Sequence, residues 1–140
     1  MHRFSGMLTV ILFGLGAATM QEACSQSRNM IQSVALKSGE SVEVGDLYYA
    51  PNCRSILTTT PTAEVMEGPS EIAVSVKEAM VVPRTLECNK QVKGGKLVFT
   101  AKEIDDYSTS KLTVRITFKT KDGETQRSVS YNVTLFPKQE

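Results

Sequence analysis

The chain has 140 residues, 41% of them hydrophobic and 22% charged, with a formal net charge of +1. That is the composition of one ordinary globular domain; it excludes wholesale disorder and a multi-span membrane bundle. Sixteen Lys and Arg stand against fifteen Asp and Glu, so the electrostatic footprint of a non-specific nucleic-acid binder is missing.

The N-terminus reads as a secretory signal over residues 1–18. His2 and Arg3 precede an apolar run from Met7 to Leu15, and the small residues Gly16, Ala17 and Ala18 suit cleavage after Ala18. The apolar run is about half of the roughly 20 residues that cross a bilayer, so the expectation is export, not a transmembrane anchor. A flexible N-terminal tail is expected over 19–30 and the folded domain over 31–137. The expected location is the periplasm; secretion, or an outer-membrane lipoprotein, is the lesser alternative.

Three cysteines, Cys24, Cys53 and Cys88, are an odd number in an exported chain, so at most one intramolecular bridge forms. Cys53 with Cys88 is the expected pair, because both lie inside the patterned region. Cys24 then remains as a tail thiol, an intermolecular link making a dimer, or a lipid anchor. The last is disfavoured because lipidation needs an apolar residue three positions earlier, where this sequence has Gln21, with Glu22 next to it.

Along the chain, apolar and polar residues alternate over Ile31–Leu36 and Ser41–Tyr48, separated by the turn Lys37-Ser38-Gly39. Tyr49 to Thr62 reads as loop around a short strand at Ile56 and Leu57. Ala63–Met66 is a strand ending at Gly68-Pro69, and Ile72, Val74 and Val76 mark another. Ala79–Val82 is an apolar run too short to type. A helix over Glu71–Val81 competes here, opposed by the β-branched Val74, Val76, Val81 and Val82. Lys90–Lys96, with Gly94 and Gly95, reads as loop, followed by a strand carrying Leu97, Phe99 and Ala101. The clearest element is a closing hairpin: Leu112, Val114, Ile116 and Phe118 alternate with polar residues, as do Val129, Tyr131, Val133 and Leu135. Asp122-Gly123 between them suits a turn with positive φ at its central residues.

Seven or eight short strands with turn chemistry every 8 to 15 residues predict an all-β fold, a single antiparallel β-sandwich. With the closing pair of long strands after an acidic corner at Asp105, Asp106 and Tyr107, the pattern resembles an immunoglobulin-like sandwich over roughly residues 31–136. That resemblance implies fold class and no chemistry.

The only histidine is His2, which goes with the signal. Ser-His-Asp and Cys-His catalysis and His-ligated zinc are therefore excluded from the processed chain, and the cysteines lack C-x-x-C spacing. Asp105 and Asp106 are adjacent and point to opposite faces of an extended segment, so they make no acid-base pair; with Glu103 they read as a solvated corner, not a Ca²⁺ site. Glu64, Glu67, Glu71 and Glu78 lack a cleft to work in. No enzyme, no cofactor and no metal are expected.

Two regions are candidates for binding. The first is the loop Asp46–Arg54, where Tyr48, Tyr49, Asn52 and Arg54 flank Cys53 and offer contact area and directional hydrogen bonds. The second is the wet face of the closing hairpin, with Arg115 and Lys119 among hydroxyl side chains. The Asn132-Val133-Thr134 sequon sits mid-strand and is read as chance. Charge is uneven: residues 19–88 carry five basic and nine acidic side chains, residues 89–140 ten and six. The leading expectation is an exported, non-catalytic protein-binding domain of the cell envelope, in its most specific form an inhibitor of a peptidoglycan hydrolase of lysozyme or lytic-transglycosylase type. The alternatives are a structural subunit of an envelope assembly and a small polysaccharide-binding domain.

Overall fold

A computed structural model describes residues 31–139. The signal, its cleavage site, the tail and Cys24 lie outside the described residues. Seven strands run in chain order: β1 Gln32–Lys37, β2 Ser41–Leu47, β3 Thr62–Glu67, β4 Ile72–Val81, β5 Val92–Ala101, β6 Ser108–Thr120 and β7 Gly123–Phe136. They form two sheets, β1-β7-β6-β3 and β2-β5-β4, packed as a sandwich. No helix among the described residues is long and apolar enough to cross a membrane.

The core follows the alternation. Leu112, Val114, Ile116 and Phe118 of β6 and Tyr131, Val133 and Leu135 of β7 are buried against Leu97, Phe99 and Ala101 of β5. Phe99 and Tyr131 meet edge to face at 4.9 Å between ring centroids, the arrangement their quadrupoles favour. Desolvation pushes the Tyr131 phenol above its ordinary range, partly opposed by the positive charge of Arg127.

Four details depart from the sequence expectation. The Lys37–Glu40 turn leads from one sheet to the other, so β1 pairs in parallel with β7 and the remaining pairings are antiparallel. The residues Ile56 and Leu57 make no strand, only an isolated bridge between Leu57 and Thr120. The closing turn keeps its two residues at negative φ, and Gly123 alone, at φ 131°, takes the positive value. Most consequentially, the expected loop at Lys90–Lys96 is mostly strand. The β4–β5 ladder is unbroken from Ile72↔Ala101 to Val81↔Val92 and passes through both glycines.

That ladder explains the ambiguous apolar run before Pro83. Ile72, Val74 and Val76 share the inner face of β4, so strict alternation turns Ala79 and Val81 outward. They are covered there by a second, smaller core in which Ala50, Val81 and Val92 are buried, with Tyr48 and Ala79 against them. The chain leaving β2 makes this cover by passing so close to β5 that a Cβ on Gly94 would lie 2.2 Å from the Leu47 carbonyl oxygen and 2.9 Å from Val81. Gly95 faces inward, where a Cβ would lie 2.6 Å from Val76. Gly94 permits the close crossing, and neither glycine ends the strand.

Candidate functional site

The segment that leaves β2 at Leu47 alternates like a strand for two more residues. Asp46 points outward beside its ladder partner Lys96, and Tyr48 lies over the small outer core. Tyr49 goes the other way, to the open end of the sandwich, 6.0 Å from the Phe118 ring centroid. A single 3₁₀ turn at Pro51–Cys53 follows, with Asn52 at φ 54° and Cys53 at φ 60°. The opposite shoulder, between β4 and β5, has a matching 3₁₀ turn at Arg84–Leu86, closed by Glu87 at φ 55°.

Left-handed backbone at non-glycine residues is uncommon, and here all three examples among the described residues flank the Cys53–Cys88 disulfide. The bridge joins the two shoulders across 35 positions of sequence, with the Cα atoms 5.6 Å apart. Further ties hold them: Tyr48 and Thr85 are hydrogen bonded through their hydroxyls, the Ser55 hydroxyl donates to the Lys93 carbonyl at 2.9 Å, and the Ile56 amide donates to the Tyr49 carbonyl at 3.1 Å.

Between these shoulders and β7 lies a groove of about 540 Å³. Tyr48, Tyr49 and Pro51 form one wall, Thr85 and Leu86 another, and Asp46 and Arg127 its polar margin. Tyr49 is 38% exposed and Leu86 48%, so two large apolar side chains face solvent on backbone fixed by covalent and hydrogen-bonded ties. The Arg127 guanidinium stacks over Phe118, 5.5 Å from the ring centroid.

The two charges at the margin are not equivalent. Asp46 is engaged by Lys96 at 2.8 Å, with Glu43 4.0 Å from the same ammonium. The hydrogen bond to Asp46, and then its charge, hold the Lys96 pKa above the usual range. Both salt bridges among the described residues belong to Lys96, which leaves Arg127 without a carboxylate partner among them. Among the described residues the groove is thus largely apolar, with one cation that no carboxylate pairs. Among the described residues no group of three or more His, Cys, Asp or Glu side chains comes together to hold a metal.

Of the expected binding residues, Tyr48 and Tyr49 line the groove. Asn52 and Arg54 are exposed on the same loop but outside the lining. Arg115 and Lys119 alternate with the buried residues of β6 and so project from the outer face of the larger sheet, away from the two tyrosines. That face is a ladder of hydroxyls, with Thr113 and Ser130 3.1 Å apart, and Glu64 of β3 is the ladder partner of Arg115. Leu86, Thr85 and Arg127 are site residues that the sequence reading did not single out.

Fold and groove together define a disulfide-stapled β-sandwich with a preformed, largely apolar recess at one end. Comparison with protein-family models, curated proteins and solved structures finds no match.

Proposed function

We propose that the chain is an exported, non-catalytic domain that binds a protein partner through the groove between Tyr49, Leu86 and Arg127. The observation that carries this is the exposure of two large apolar side chains on a pair of loops locked by the Cys53–Cys88 bridge. A few anchors, most often Trp, Tyr and Arg, supply most of the energy of protein interfaces, and fixing their backbone in advance reduces the ordering cost of association. The lack of a histidine after His2 supports a non-catalytic role, and the strand order of the two sheets supports the immunoglobulin-like resemblance. A cell-wall hydrolase is the partner class to test first, as an inhibited enzyme.

The test is capture from envelope extract, followed by titration against purified muramidases, with the parent protein and with Tyr49→Ala and Leu86→Ala. Tyr48 is left intact because it also packs on the small core. Each truncation is expected to weaken a groove-bound partner by about 1–2 kcal/mol, roughly 5- to 30-fold in Kd. A partner held equally by both variants would move the contact to the Arg115 and Lys119 face and defeat the groove assignment.

A further inference from the structure

The groove opens onto an unpaired sheet edge. β1 pairs with β7 only from Tyr131 to Phe136, so along Gly123–Ser130 the side of β7 away from β6 has no neighbouring strand among the described residues. This is a straight run of eight residues, about 26 Å at the rise of an extended chain. Its ladder with β6 has no register shift, whereas the edge strands β2 and β3 are each interrupted by one; β4 is an equally regular edge but supplies no residue to the groove. Interruptions, prolines, short length and inward-pointing charges are the usual protection of an edge against a foreign strand; this stretch has only the last, Arg127, whose charge an added strand must pair.

Alternation decides what an added strand would meet. Tyr131, Val133 and Leu135 face inward, so Val129, Arg127 and Thr125 share that side of β7. A strand laid beside them would send every second side chain into the space bounded by Arg127 and by Asp46 to Tyr49, which is the groove.

Two occupants fit badly. In the β1 register, where Gln32 stands beside Tyr131, the chain's own upstream residues would set Arg28 beside Arg127. Like charges at neighbouring positions repel, and Ser25, Gln26, Ser27 and Asn29 are weak strand formers. A second copy pairing edge to edge about a two-fold axis could not bring its Glu124 opposite Arg127, because the two residues have opposite parity and face opposite sides.

Building on the groove assignment above, we infer that the partner enters as an extended segment that adds to β7 over Gly123–Ser130. Its inward positions carry an apolar side chain for the recess beside Tyr49 and Leu86, and an Asp or Glu for Arg127. Main-chain hydrogen bonds supply affinity, and alternate side chains in the groove supply selectivity.

The probe is a phage library of random dodecapeptides selected against the protein as processed and purified from the expressing cell, the winning peptide then being synthesised. The expected winners alternate β-branched or apolar residues and carry a carboxylate at even spacing from the anchor, and Arg127→Glu reverses the preferred charge. On binding, amide exchange at alternate residues of Gly123–Ser130 slows at least tenfold. N-methylation of the peptide at one parity of amides weakens binding at least tenfold, and at the other parity hardly at all. No selected peptide, protection away from β7, equal loss from both methylation parities, or a peptide-free dimer protecting these same amides would each overturn strand addition. Peptide binding lost in Leu86→Ala without β7 protection leaves the groove assignment standing and strand addition refuted. β7 protection with both groove truncations neutral gives the reverse.

Discussion

Replacing Cys53 and Cys88 together by Ala separates the two contributions of the bridge. The crosslink spans 35 positions. Loop-closure entropy for that span is roughly 12.7 cal/mol/K, about 3.8 kcal/mol at 25 °C, removed from the unfolded chain by the bond. Net stabilities of domains this size are on the order of 5–15 kcal/mol, so the variant stays folded with a much reduced margin. With an unfolding entropy of about 2.1 cal/mol/K for each of about 110 residues, the loss corresponds to a fall in Tm of about 16 °C. Relaxation of the left-handed Asn52, Cys53 and Glu87 once the bond is gone offsets part of this, by roughly 1 kcal/mol. The net expectation is a destabilisation of about 3 kcal/mol. Urea denaturation of parent and variant measures it, and the variant's m-value should rise because its unfolded state is more open. A variant within about 1 kcal/mol of the parent, at unchanged m, would refute the claim that the bond acts on the unfolded chain. In amide exchange positions 53 and 54 should lose protection first, while β6 and β7 keep theirs.

Gly94→Ala should cost about 1–3 kcal/mol, because its Cβ meets a carbonyl oxygen of the crossing backbone; Gly45→Ala, with nothing within 4 Å, should change stability by less than about 0.5 kcal/mol, and equal losses by urea titration would refute the crossing. Phe99→Ala, at a fully buried ring packed on Tyr131, should cost about 3–5 kcal/mol by the same measurement. In alkali the raised Tyr131 pKa means that the unfolded chain loses its proton first, so the contribution is intact below the ordinary phenol value of about 10 and is lost as pH rises through the folded value. Stability should therefore fall above about pH 10, less steeply in Tyr131→Phe; the exposed Lys96–Asp46 pair shifts in the same direction and leaves a residual slope.

The closing hairpin was legible because one of its faces is buried and the other wet over its whole length, so period two survives in the residue types from Leu112 to Phe118 and from Val129 to Leu135. β4 was legible only as far as Val76, and the reason is physical. Its inner face is apolar as far as Val76 and its outer face from Ala79 on, so the apolar parity switches within a straight, unbulged strand. Such a switch signals a strand covered on one face at one end and on the other face at the other, yet from sequence alone it looks like loss of pattern. Gly94 and Gly95 are ambiguous for a related reason: a glycine pair that breaks a strand and one that lets another segment cross it closely look the same until the crossing segment is known.

The candidate site divides along similar lines. Tyr48 and Tyr49 stood out as adjacent aromatics near a cysteine, and the alternation that places them on opposite sides explains why one covers the outer core and the other closes the end of the sandwich. Thr85 and Leu86 were within reach of the same reasoning, since a Cys53–Cys88 bridge brings the residues before Cys88 next to those before Cys53. Arg127 carried a fainter signal: counted back from Tyr131 it is a cation on the inward parity of a strand. An inward charge at a strand's end must either stretch out to water or border a recess, and here the ring of Phe118 and the gap beside Tyr49 give it the second role. Arg115 and Lys119, on the outward parity of β6, are the opposite case. Their charges face solvent wherever the loops go, so position on the pleat, more than residue type, decides which cations belong to the groove.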